Sequence, residues 1–183
     1  MKPKIKIIYS KYYLDEITGL MVNISKKILT KAEIDYDSIG VPGSFEIPFE
    51  IARSIKEDTV DKNSAKSFEG ENKEKIRDNI LQMAKLSQLN LNNQPLYDGY
   101  LALGCIIKGK TINHQAISTS IFTNLQRISI ENIMPIGNGI FNANNMAEAK
   151  DKFASCTEHA VTTLTMLLID EKHKTTEQDE KKK

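Results

Sequence analysis

The run Tyr97–Ile107 (YDGYLALGCII) constrains this chain more than any other segment, because after Asp98 it is almost continuously apolar. A strand with apolar side chains on both faces must be covered on both. That is the situation of a parallel sheet, whose crossover connections lay helices on each side. The flanking sequence supplies such crossovers. Lys4–Ser10 (KIKIIYS) has the β-branched composition of a strand. Ile17, Met21, Ile24 and Ile28 then recur at the spacing of one helix face. Tyr36–Val41 reads as a short strand ended by Pro42-Gly43, after which Phe45, Phe49 and Ala52 restart a helical face with Ser44 as N-cap. Beyond the apolar run, Ile117, Ile121, Leu125 and Ile128 mark a helix, and Met134–Phe141 (MPIGNGIF) marks a strand. Ala149, Phe153, Cys156, Ala160, Leu164 and Leu167 mark a long final helix, with Asn145-x-x-Glu148 as a capping-box variant at its start.

The order β-α-β-α-β-α-β-α predicts an α/β fold, a three-layer α/β/α sandwich with a flavodoxin-like four-stranded parallel sheet. Two segments stand outside this repeat. Residues 56–94 separate the second helix from the third strand, where about 2–6 residues would be usual. The first half of this insert is highly charged and is expected to be flexible. The second half carries Ile76, Ile80, Met83 and Ala84 at the spacing of an amphipathic helix. Residues 171–183 have the composition of a charged, disordered tail. The expected organisation is therefore one domain over 1–170 carrying a charged insert at about 56–94.

Of the 183 residues 40% are hydrophobic, enough for a single core. With 25 Lys and Arg against 24 Asp and Glu, the net charge of +1 argues against a general nucleic-acid binder, though not against a small basic site. No stretch approaches the ~18 apolar residues of a membrane span, and the start of the chain lacks the apolar core of a signal peptide. A cytoplasmic protein is expected. Cys105 and Cys156 have apolar neighbours and read as small buried hydrophobes in a reducing compartment. No cluster of His, Cys or Asp has the spacing of a metal site.

In open α/β sheets, ligands sit beyond the carboxyl ends of the strands. Gly109-Lys110-Thr111 opens a helix there, where free N–H groups and the helix dipole favour an anion; a capped surface turn is the plainer reading. Gly104–Thr111 (GCIIKGKT) satisfies the letters of a P-loop, but Cys105-Ile106-Ile107 reads as strand and leaves no loop to wrap phosphates. His114 follows that turn, either as an ordinary surface histidine or as a proton carrier beside the anion site. Tyr12 is placed to stack on a planar ring or simply to be half-buried. Pro42-Gly43 lets a ligand approach the backbone, and Glu46 has a favourable place at a helix start.

Together these residues resemble one family. Val41–Pro48 (VPGSFEIP) looks like the VPG[AS]FE[IL]P signature of 6,7-dimethyl-8-ribityllumazine synthases, and Leu101–Gly109 (LALGCIIKG) resembles their ALGCVI[RK]G strand. Ser10-Lys11-Tyr12 resembles the S-[RK]-F opening, and Pro135–Asn142 and the last helix follow in the same order. The resemblance implies condensation of 5-amino-6-(ribitylamino)uracil with 3,4-dihydroxy-2-butanone 4-phosphate. The products are 6,7-dimethyl-8-ribityllumazine, phosphate and water, a step in riboflavin synthesis that takes no metal and no cofactor. It implies that Tyr12 stacks on the pyrimidine, that Ser44, Phe45 and Glu46 contact ribityl chain and ring, and that Cys105, Ile106 and Ile107 line the ring pocket. It gives Gly109, Lys110, Thr111 and Lys152 to the phosphate.

The departures from the family pattern are local. The family turn G-[ED]-T-x-H-F here reads Gly109-Lys110-Thr111-Ile112-Asn113-His114, so strict register puts Asn113 at the catalytic histidine and His114 one later. One residue rotates a helical side chain by about 100°. A branch of the family carries its histidine at this later position, so the resemblance implies His114 as the proton carrier; Asn113 cannot shuttle protons near neutral pH, and catalysis would be poor if His114 pointed away. Lys152 stands for an arginine, Asn138 for an aromatic and Cys156 for a lysine. In the family that arginine and that aromatic come from a neighbouring subunit. The resemblance accordingly implies a homo-oligomer, a pentamer or a sixty-subunit shell. A non-catalytic homologue that binds a lumazine or flavin is the alternative.

Overall fold

The computed structural model describes residues 2–64 and 96–180. Four strands, β1 (Lys4–Ser10), β2 (Asp35–Val41), β3 (Gly99–Ile107) and β4 (Ile136–Ala143), form one parallel sheet in the order β2-β1-β3-β4. Among the described residues, four α-helices connect and follow them: α1 (Gly19–Lys31), α2 (Ile47–Ser64), α3 (Asn113–Asn132) and α4 (Met146–Glu180). This is the three-layer α/β/α, flavodoxin-like fold. The pairing runs Lys4↔Asp35 to Ser10↔Val41, Ile5↔Gly99 to Tyr9↔Leu103, and Tyr100↔Ile136 to Ile107↔Ala143. Right-handed crossovers in this order put α1 and α4 on one face of the sheet and α2 and α3 on the other.

The chain divides into two compact units, Met1–Ala52 with Tyr97–Lys183, and Arg53–Leu96. In the first, β3 is buried along all but its last residue, as its composition requires. Ile5, Ile7, Leu101, Leu103 and Phe141 from the sheet pack against Met21 and Leu29 of α1 and Val161, Leu164 and Leu168 of α4. Gly137 permits the close approach of α4: a Cβ there would lie 2.8 Å from the carbonyl oxygen of Ala160. In the second unit, α2 continues to Ser64, with Arg53 and Glu57 paired at 3.8 Å. The amphipathic segment expected around Ile76–Ala84 lies outside the described residues. The backbone of α4 runs as helix to Glu180, over most of the segment that reads as a charged tail.

Two helices bury faces that the spacing of apolar residues does not fully predict. Of the face expected around α1, Ile17 and Met21 are fully buried and Ile28 packs partly buried against the core, but Val22, Ser25 and Leu29 are buried as well and Ile24 is only half-buried. A π-helical turn, Leu14–Thr18, precedes α1, and the Thr18 N–H donates to the Tyr13 carbonyl at 2.9 Å. Its extra residue shifts the register between Ile17 and the helix after it. In α2 the buried positions are Ile47, Pro48, Glu50, Ile51 and Ser54, while Phe49 and Ala52, and Phe45 just before the helix, are exposed. That segment carries two apolar stripes, and the aliphatic one faces the sheet. Ser44 is not a capping residue: it lies in a 3-10 turn, Ser44–Glu46, whose N-cap position is Gly43.

Candidate active site

The strands end at one edge of the sheet, and between β1 and β3 their connections leave in opposite directions. Such a switch point leaves a crevice. A cleft of about 270 Å³ lies there, walled by Tyr12 and Tyr13 after β1, Gly43, Ser44 and Phe45 after β2, and Cys105, Ile106 and Ile107 of β3. Ile117 of α3 closes one side.

Hydrogen bonds fix the turn after β1. The Lys11 N–H donates to the Val41 carbonyl at 2.8 Å, the Tyr12 N–H to Ser10 Oγ at 3.2 Å, and Thr18 Oγ1 to the Ser10 carbonyl at 2.7 Å. Tyr12 is left 73% exposed, with its ring edge-on to that of Tyr13 at 4.8 Å. Burial, with Tyr12, Cys105 and Glu16 adding to it, holds the Tyr13 hydroxyl above its usual range, so the group is neutral. Burial likewise pushes the Cys105 thiol up to about 11, with a smaller contribution from Cys156. A neutral thiol is an apolar wall and not a nucleophile. Both cysteines are free.

After β2 the chain passes close to β3. A Cβ on Gly104 would lie 2.5 Å from Ser44 Oγ, so only glycine lets Ser44 sit against β3. The Glu46 carboxylate folds back toward Gly43, where a Cβ would meet Oε2 at 3.0 Å. These contacts bring Ser44 and Phe45 to the cleft in one short turn, with the Glu46 carboxylate beside Gly43.

Gly109, Lys110 and Thr111 form an exposed turn before α3, with open space around Gly109. The first turn of α3 has no acidic residue, and Ile112 at its cap position makes no side-chain bond. The Gln115 N–H donates to the Ile112 carbonyl at 3.0 Å, and the positive end of the helix dipole has no acidic side chain beside it. Asn113 and His114 lie in this first turn, one turn before Ile117. Asn113 is exposed, whereas His114 is partly buried with Nδ1 3.1 Å from the Thr111 carbonyl oxygen. A carbonyl only accepts, so Nδ1 is the donor of this contact and Nε2 is the ring nitrogen left for another partner.

Of the expected site residues, Tyr12, Ser44, Phe45, Cys105, Ile106 and Ile107 line this cleft; Glu46, Gly109, Lys110, Thr111, Asn113 and His114 lie outside its lining, and Asn138 and Lys152 lie on other parts of the fold. Asn138 lies early in β4, in a separate cleft of about 280 Å³ with Phe122, Leu125 and Ile136, and its Oδ1 accepts the Ile140 N–H at 3.0 Å. Lys152 lies on the exposed face of α4 and donates to Glu148 one turn earlier. Glu148 also accepts from the Asn144 N–H and Nδ2, both at 2.8 Å, and its own N–H donates to Asn145 Oδ1 at 2.9 Å. The capping box at α4 is thus present, with its return bond on Asn144 and not Asn145. The Lys152 hydrogen bond, followed by those from Asn144, pushes the Glu148 carboxyl down to about 2. Among the described residues no group of three or more His, Cys, Asp or Glu is placed to hold a metal, and no helix is long and apolar enough to cross a membrane. Tyr13 and Ile117 are cleft residues that sequence reasoning misses. The aromatic neighbour of Tyr12 and the helical stripe through Ile121 are the signals that could have found them.

A family model described as 6,7-dimethyl-8-ribityllumazine synthase matches residues 78–171. Relatives of that name include one from Bartonella tribocorum, 28% identical over 151 residues that cover 82% of this chain and 76% of the relative. One from Agrobacterium fabrum is 28% identical over 148 residues, 81% of this chain and 78% of its own. The 6,7-dimethyl-8-ribityllumazine synthase 1 of Rhizobium meliloti is 25% identical over 149 residues, 81% of this chain and 76% of its own.

Proposed function

Because the chain belongs to the 6,7-dimethyl-8-ribityllumazine synthase family, we propose that it condenses 5-amino-6-(ribitylamino)uracil with 3,4-dihydroxy-2-butanone 4-phosphate. The products are 6,7-dimethyl-8-ribityllumazine, phosphate and water, a step of riboflavin biosynthesis carried out by a cytoplasmic homo-oligomer. The observation that carries this reading is the cleft at the β1–β3 switch point, with an exposed Tyr12 on one side and Ser44-Phe45 on the other. In this reading Tyr12 stacks on the pyrimidine, and Cys105, Ile106 and Ile107 form the apolar wall behind it. Ser44 and Phe45 meet the ring and ribityl chain, and Glu46 accepts hydroxyl hydrogen bonds. Gly109, Lys110, Thr111 and the start of α3 receive the phosphate.

The chemistry is imine formation, phosphate elimination and ring closure. Each step needs protons moved at a fixed place more than it needs a strong nucleophile. His114 Nε2, left for another partner by the Nδ1 contact to Thr111, takes that role. Asn113 beside it serves as a polar neighbour without a transferable proton. Asn138 and Lys152 lie away from the cleft of their own chain, which supports a site completed by a neighbouring subunit. Lys152 then exchanges its Glu148 partner for the substrate phosphate. Mixing the two substrates with the purified oligomer and following lumazine absorbance tests the reading. Turnover that disappears in His114→Ala is the expected result. Tight lumazine binding without any turnover would overturn it.

A further inference from the structure

Ser118 is buried one turn after His114 on α3. Its Oγ lies 2.6 Å from the His114 carbonyl oxygen and 2.7 Å from Asn142 Oδ1, near the end of β4. One hydroxyl carries one proton, and it cannot serve both acceptors. Turning the Asn142 side-chain amide over exchanges Oδ1 for Nδ2 at the same place. Nδ2–H then donates to Ser118 Oγ, which gives its own proton to the His114 carbonyl, so both contacts of the hydroxyl are satisfied.

We propose that Ser118 and Asn142 are positioning residues, a tether that ties the His114 turn of α3 to strand β4. The inference rests on His114 as the proton carrier and adds what holds it. Besides the tether and the Thr111 contact, the Gln115 N–H donates to the Ile112 carbonyl at 3.0 Å. Ile112 supplies no cap bond and no acid complements the dipole, so a helix start of this kind would fray. The tether grips the backbone of His114 from the C-terminal side, while Thr111 grips its ring from the N-terminal side. Together they fix where Nε2 points. Neither Ser118 nor Asn142 exchanges a proton with substrate in this scheme.

The test uses the full-length protein with Ser118→Ala, Asn142→Ala, Asn142→Asp and the Ser118→Ala/Asn142→Ala double variant. Nitrogen NMR of the His114 imidazole reports the tautomer without reference to activity. The wild type should show protonated Nδ1, and each variant should move toward the mixed signals of a free ring. The kcat for lumazine formation should fall by as much as about a hundredfold, the loss a displacement of about 1 Å produces, with KM little changed. The double variant should lose no more than the worse single one. Asn142→Asp keeps the shape at an exposed position but only accepts, so it draws the Ser118 proton away from His114 and should behave like Asn142→Ala. His114 signals unchanged in Ser118→Ala, losses that multiply in the double variant, or full activity in Asn142→Asp would each overturn the tether. Absence of lumazine formation by the wild type would instead overturn the proposed reaction, and the nitrogen signals would still decide the tether.

Discussion

The Thr111 carbonyl holds His114 Nδ1 in a hydrogen bond and leaves Nε2 as the other ring nitrogen, whereas Cys105 owes its protonation to burial, which removes a competing nucleophile from the cleft wall. His114→Ala should lower kcat by about a hundredfold to ten-thousandfold, the range of a lost general acid–base group, with far-UV circular dichroism unchanged. Cys105 should resist iodoacetamide in the folded protein at pH 8 and react on unfolding in urea, as quantified by mass spectrometry. Its thiol is raised from 9.0 to about 11 by folding, so the folded state holds this proton more tightly. The resulting stability is complete below pH 9 and is lost as the pH climbs toward 11. Urea midpoints measured across that window should fall in the wild type and fall less in Cys105→Ala.

At the scale of elements, the start of α4 has the opposite pH behaviour. Folding lowers the Glu148 carboxyl from 4.5 to about 2, so its contribution is present above pH 4.5 and lost as the pH falls through that interval. Acid titration of thermal stability should be flatter in Glu148→Gln. Asn145→Ala removes the acceptor for the Glu148 N–H and should cost about 1 kcal/mol in denaturant melts, the usual value of an N-cap. Strand positions are legible in the sequence because burial on both faces leaves an unmistakable run in β3 and β-branched residues in β1. Helix faces are less so. The π-helical turn before α1 adds a residue that no spacing rule registers, and α2 offers an aromatic and an aliphatic stripe between which periodicity cannot choose. The cleft walls are legible in Tyr12, Ser44, Phe45 and Cys105, since motif residues after strands converge by topology alone. Ser118 and Asn142 are not, because their link is a hydrogen bond between elements 24 residues apart.

For the whole molecule, the telling quantity is what one chain leaves uncovered. Phe45 is 58%, Phe49 70% and Ile112 77% exposed, and Asn138 and Lys152 lie outside the cleft they are expected to serve. Aromatic side chains of this size are the usual anchors of interfaces. Sedimentation should show an assembly of at least five chains. Phe49→Glu should shift it toward monomer and abolish lumazine formation together with assembly, while each chain keeps its helical dichroism. A wild-type monomer with full turnover would contradict the proposed intersubunit site.

The strand order also sets a timetable. β1 pairs with β2 after one short crossover, but its other edge waits for β3, whose first partner, Gly99, lies 94 residues after Ile5. Equilibrium is forgiving of such a span: doubling a connection costs only about 0.6 kcal/mol. Synthesis is less forgiving. A nascent chain can complete the β1-α1-β2 unit long before residues 99–107 leave the ribosome, and through that interval the apolar edge of β1 is bare. Unpaired edges template aggregation, so this protein carries, during its manufacture, a hazard at β1 that pairing with β3 later removes.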